Sequence, residues 1–88
     1  MRTYLRDLDV DKNIATVLKA LCAIRGVTLA QLAADHGMSP SAIHERMSGK
    51  RRFTAAEVAA FARYLDVKPG KFFEPAISGF ESAWTTLA

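Results

Sequence analysis

The stretch Thr28-Leu29-Ala30-Gln31-Leu32-Ala33-Ala34-Asp35-His36-Gly37-Met38-Ser39-Pro40-Ser41-Ala42-Ile43-His44-Glu45-Arg46-Met47-Ser48-Gly49 decides how this chain folds. Thr28-x-x-Gln31 reads as a capping box opening a helix, with Leu29, Leu32 and Ala33 facing inward and Gly37 as the stop. Ser39 then caps a second helix, and Pro40 takes its first position, where a missing N–H costs nothing. That helix, from Pro40 to about Ser48, has Ala42, Ile43 and Met47 as its apolar stripe before Gly49 ends it. Ala33 falls where the second helix must approach the first closely, and Ile43 anchors the second helix to the core. The second helix is too polar to be held by burial alone, so one of its faces is left to contact something else.

The flanks carry the same punctuation. Upstream, Asp9 or Asp11 caps a helix whose stripe is Ile14, Val17, Leu18, Leu21 and Cys22, with Arg25 in the last turn and Gly26 at the position after the cap. Downstream, a Lys50-Arg51-Arg52-Phe53 loop leads to Thr54-x-x-Glu57, a second capping box, whose helix turns Val58, Phe61, Ala62 and Leu65 inward. Asp66-Val67-Lys68 breaks that helix, and Pro69 begins a short fifth one carrying Phe72 and Phe73. Ser78 is placed to cap a last helix with Phe80, Trp84 and Leu87 at i, i+4 and i+7. Tyr4, Leu5, Leu8 and Val10 fit a helical turn or a strand equally well. The expectation is an all-α, compact five-helix domain over residues 11–74. An arm or extra turn precedes it at 1–10, and a tail at 75–88 serves as a dimerisation or core-capping helix.

Composition narrows the function. An 88-residue chain supports one small domain, which excludes a two-domain enzyme with a cleft between its halves. Half the residues are hydrophobic, but 15 of them are Ala, so a large ligand cavity is not expected. One cysteine excludes a disulfide framework and a zinc site built on Cys pairs. No signal peptide is read in Met1–Asp7, and no unbroken apolar run is longer than that from Val58 to Ala62, which falls far short of the ~20 residues that span a bilayer. A cytoplasmic protein is expected. The net charge of +3 is mild, but residues 28–53 carry Arg46, Lys50, Arg51 and Arg52 against Asp35 and Glu45, and the last 35 residues are slightly acidic. No paired carboxylates, Gly-rich phosphate loop or Cys–His pair stands at a useful spacing, so the chain is not read as an enzyme, and no cofactor or metal is expected.

Two short helices joined by a tight Gly-x-Ser turn, the second presenting a polar face, form the pattern of a helix-turn-helix. From about Asn13 to Phe73 the chain resembles the Cro/cI-type helix-turn-helix family, also called the xenobiotic-response-element family. The resemblance is carried by Gly26-Val27-Thr28, Leu32-Ala33, Gly37-Met38-Ser39, Ala42-Ile43, Ser48-Gly49-Lys50 and Ala62-Arg63-Tyr64-Leu65-Asp66-Val67. It implies a lambda-repressor-like domain that binds double-stranded DNA, a transcriptional repressor acting as a homodimer on a palindromic operator. No small-molecule ligand and no membrane contact are implied.

Transferred position by position, the resemblance places Pro40, Ser41, His44 and Glu45 against the bases. It places Thr28, Gln31, Ser39, Ser48, Lys50, Arg51 and Arg52 against phosphates. Three positions depart from the family pattern: Leu29 stands where Gln is frequent, Pro40 where a polar reader is frequent, and Arg46 where a core aliphatic is common. With Ser, His and Glu as readers and no Arg or Gln fork, direct readout is sparse; Glu45 is suited to accept from a cytosine N4 amino group. Cys22 reads as a buried small hydrophobe and His36 as a structural residue at a helix end. Arg2 and Arg6 fit a DNA-binding arm or an irregular start. Phe80, Trp84 and Leu87 fit a dimer seam or a cap on the chain's own core. The rival reading is a protein-interaction module, an antitoxin or antiactivator that holds a partner through the C-terminal aromatics.

Overall fold

The computed structural model describes residues 9–76. Four α-helices follow one another, α1 (Val10–Arg25), α2 (Leu29–Asp35), α3 (Pro40–Met47) and α4 (Ala55–Tyr64), and a 3-10 turn runs over Pro69–Phe73. No strand occurs among the described residues. Where the spacing called for a fifth helix, the chain makes this 3-10 turn instead. Pro75 bars Glu74 from helical backbone, and Glu74 is extended at φ −78, ψ 137. Only five residues are left, too few to repay an α-helical nucleus. Arg2, Arg6, Ser78, Phe80, Trp84 and Leu87 lie outside the described residues.

Each helix starts at a side-chain cap. Asp9, rather than Asp11, caps α1 by accepting from the Lys12 amide at 3.0 Å. Thr28 and Ser39 cap α2 and α3. Thr54 and Glu57 form a complete capping box on α4, each side chain accepting from the other residue's amide. The Thr28-x-x-Gln31 box is only half made, because the Gln31 amide turns to the Asp35 carboxylate at 3.2 Å. The helices stop at left-handed residues: Gly26 after α1 (φ 71), Gly37 in the turn between α2 and α3 (φ 70), and Asp66 after α4 (φ 59). Arg25 donates to the Leu65 and Asp66 carbonyls, so a cation from the end of α1 closes the end of α4.

One core joins these elements. Ile14, Val17, Leu18, Leu21 and Cys22 from α1 meet Leu32 and Ala33 from α2, Ile43 from α3, Val58, Phe61 and Ala62 from α4, and then Leu65 and Phe72. The stripes expected from the spacing are therefore the faces that are buried, at about 1.5–3 kcal/mol per large side chain. The exceptions are Leu29, Ala42 and Met47, which are only half-buried, and Phe73, half exposed beside the fully buried Phe72. Asn13 is the one buried polar residue among the described residues. Its Nδ2 donates to the Phe72 and Glu74 carbonyls at 3.0 and 2.8 Å, and its Oδ1 accepts from the Ala76 amide at 2.8 Å. It thus straps the 3-10 turn to α1. No single helix among the described residues is long and apolar enough to cross a membrane; α1 and α2 are bent by 98° from one another.

Candidate nucleic-acid interface

The turn from α2 to α3 is built by its backbone. Gly37 takes the left-handed conformation that lets its amide reach Ala34 O (3.1 Å) and the Met38 amide reach Ala33 O (2.8 Å). Ala33 is buried under this corner, where a larger side chain would hold the two helices apart. Ser39 Oγ accepts from the Ala42 amide at 3.1 Å and Pro40 follows at the first helical position, so α3 begins with a fixed direction.

Only Ile43 of the eight α3 residues is fully buried. Pro40, Ser41 and His44 are exposed on its outer side, and Glu45 is partly so. Glu45 is not free: Arg51 donates to its carboxylate through Nε (3.1 Å) and to its carbonyl through the backbone amide (3.1 Å). Ser48 Oγ donates to the same carbonyl at 3.2 Å. Thr28 and Ser39 spend acceptor capacity on caps but retain a hydroxyl proton to give.

The basic run separates into three kinds. Lys50 is exposed and takes part in no ion pair among the described residues. Arg51 pairs with Glu45, and Arg52, 91% exposed, lies 3.4 Å from Asp11. Asp11 also accepts from the Phe53 amide at 2.9 Å, anchoring the loop after α3 to the start of α1. Arg46 does not belong to an open cationic patch at all. Its side chain is 15% exposed and holds Glu57 of α4 through Nε (3.0 Å) and Nη2 (2.8 Å), while Nη1 donates to Ala42 O (3.0 Å). Burial pushes the Glu57 carboxyl up, but the Arg46 fork and the Thr54 amide outweigh that and hold it below its ordinary range. The same hydrogen bonds raise the proton affinity of Arg46.

His36 is packed edge-on between Phe61 (4.9 Å) and Tyr64 (5.0 Å). Its Nδ1 lies 2.7 Å from Leu32 O; a carbonyl only accepts, so Nδ1 carries the proton. Tyr64 donates to Asp35, which lowers the Asp35 carboxyl below its usual range, with Gln31 assisting, and raises the Tyr64 hydroxyl. Cys22 is buried, and burial pushes its thiol up. Among the described residues no group of His, Cys, Asp and Glu could hold a metal ion.

The expected readers Pro40, Ser41, His44 and Glu45 therefore share one helix side, and Lys50, Arg51 and Arg52 follow it directly. Thr28 and Ser39 stand at the two helix starts, while the Gln31 amide is turned along α2. The Arg46–Glu57 and Arg52–Asp11 links were not read from the sequence. The available signal was an arginine three residues after the anchor Ile43, on a side that should have been aliphatic. A family model described as a helix-turn-helix domain matches residues 13–71. Among curated proteins and among solved structures, none matches the chain.

Proposed function

Because the chain belongs to the helix-turn-helix domain family, we propose that it is a sequence-specific regulator of transcription that lays α3 in the major groove of double-stranded DNA. The observation that carries this reading is α3 itself: a capped helix buried at one residue, with Pro40, Ser41 and His44 turned outward and three cations directly after it. Ser41, His44 and Glu45 address base edges. Thr28 and Ser39, at the amide-rich helix starts, address phosphate together with Ser48, Lys50, Arg51 and Arg52.

Eight residues of helix span only a few base pairs, so selectivity calls for two half-sites about one helical turn apart. The proposed binding unit is a homodimer on a palindrome. Occupying such a site blocks access to it, and repression is the regulatory outcome that asks least of the chain. On this reading the protein works where the DNA is, in the nucleoid-containing cytoplasm. Selection of bound duplexes from a random pool at physiological salt tests the proposal. A palindromic consensus supports it; binding with no enriched sequence overturns it.

A further inference from the structure

Ile43 is the one fully buried residue of α3 and Met47 packs half-buried beside it, so core packing sets the roll of the helix about its own axis only loosely. At about 6 Å from that axis, a roll of about 20° moves a side-chain tip by about 2 Å. Base-edge hydrogen bonds tolerate about 0.5 Å. Ile43 alone cannot fix the placement of Ser41, His44 and Glu45 to that standard. Ala42 and Met47 are only half-buried beside it.

A second attachment exists one turn along. The Arg46 guanidinium grips both oxygens of Glu57 while donating to the Ala42 carbonyl, so a single planar group is bonded to α3 and α4 at once. Glu57 is in turn immobilised, because Oε1 accepts from the Thr54 amide at 3.0 Å as part of the α4 capping box. The chain of contacts thus runs from the backbone at the start of α4, through a carboxylate and a guanidinium, to the backbone of α3. A planar fork fixes orientation as well as distance, which an ammonium or an aliphatic side chain cannot do.

We infer that Arg46 and Glu57 are positioning residues for DNA reading, setting the roll of α3 so that Ser41, His44 and Glu45 meet base edges in register. The inference rests on the proposed function and deepens it. Neither residue needs to touch DNA. A merely structural pair behaves differently, since replacing both members of a buried ion pair by groups of similar size is commonly neutral for stability.

The test uses the R46M/E57Q double variant. It removes both charges, keeps the side-chain volume and leaves an acceptor for the Thr54 amide. Thermal melting is compared with the ratio of affinities for the selected duplex and a random one. The expected result is a Tm near that of wild type, non-specific affinity within about twofold, and a specificity ratio reduced about tenfold. R46K, which keeps the charge and loses the fork, is expected to lower the ratio to a similar degree. If the double variant is unfolded at assay temperature, R46K and E57Q supply the same comparison. A folded variant with the wild-type ratio overturns the inference. A wild-type protein that prefers no sequence overturns the functional reading instead, and that result is seen before any variant is made.

Discussion

Replacing Lys50, Arg51 and Arg52 together by alanine removes the cations that follow α3, and the expected cost can be worked out in advance. Each phosphate neutralised on duplex DNA contributes about 0.9 to the slope of log K against log salt. Three per subunit give a slope of about −2.7, or about −5.4 for two subunits on one site. Between 50 and 200 mM salt, that steeper slope amounts to a loss of about 10³ in affinity, which the triple variant should largely be spared. Two of the three charges are engaged in the free protein, Arg51 with Glu45 and Arg52 with Asp11. The Arg51–Glu45 pair is exposed, and Arg52 is exposed opposite a half-buried Asp11; pairs so open to water are worth about 1 kcal/mol or less each, so phosphate can compete for both arginines. The single variants should therefore differ. K50A removes a charge and leaves every carboxylate as it was, whereas R51A also uncovers Glu45 on the reading side and should lose more affinity. Fluorescence anisotropy on short duplexes across this salt range, with the selected sequence and a random one, measures all of these. A triple variant that keeps the wild-type slope, or that weakens one duplex far more than the other, refutes the assignment of these residues to phosphate.

Two further outcomes concern the scaffold. Asn13→Ala removes three hydrogen bonds and leaves the buried Phe72 carbonyl without a donor, so unfolding in urea should show a loss of about 2–4 kcal/mol, with Tm down by about 10–25 °C; a loss below about 1 kcal/mol would show that the strap contributes little. The folded Glu57 carboxyl lies below its unfolded range, so its contribution to stability is complete above about pH 4.3 and is lost as pH falls through the folded value. E57Q should accordingly flatten the acid limb of the stability curve, and an acid limb that superimposes on that of wild type would contradict it. Asp35 is lowered in the same direction by Tyr64, so the comparison is best made in a Y64F background.

Most of the fold was legible because its causes are local. A cap, a stripe at helical spacing and a left-handed glycine each act within one turn, and the stripes of α1 and α4 are buried throughout, as is that of α2 apart from the half-buried Leu29. What local reading leaves open or misplaces has causes both near and far. Asp9 and Asp11 are equally good caps by sequence, and the choice falls to Asp9 because Asp11 accepts from the Phe53 amide, 42 residues on. Gln31 suits a capping box until Asp35, one turn on, offers its amide a charged acceptor. At Pro69 the spacing predicts a short helix, and the chain makes a five-residue 3-10 helix there, with Glu74 before Pro75 held in extended backbone. The helix carrying the candidate site was found, but the pairing of its charges was not. Arg46 and Glu57 are 11 residues apart, and nothing in either neighbourhood names the other.

That pairing changes what the charge pattern means. Read along the chain, Arg46 to Arg52 is a cluster of four cations, which points to strong, indiscriminate attraction to DNA. In the folded chain Arg46 is turned to Glu57, Arg51 neutralises Glu45, Arg52 faces Asp11, and Lys50 alone stands without a carboxylate among the described residues. On the proposed reading, an interface so close to neutral draws weakly on phosphate attraction until Arg51 and Arg52 exchange their carboxylates for phosphate. Genomic DNA offers a vast excess of competing non-specific sites, and what matters against it is the ratio of specific to non-specific affinity. For a regulator with few base-reading side chains, lowering the second quantity is as effective as raising the first. The acids beside the candidate interface, Glu45 and Asp11, serve that end on the proposed reading. Neutralising them, as in D11N/E45Q, should raise affinity for random DNA more than affinity for the selected site. Equal gains on both duplexes in the same anisotropy measurement would refute that role.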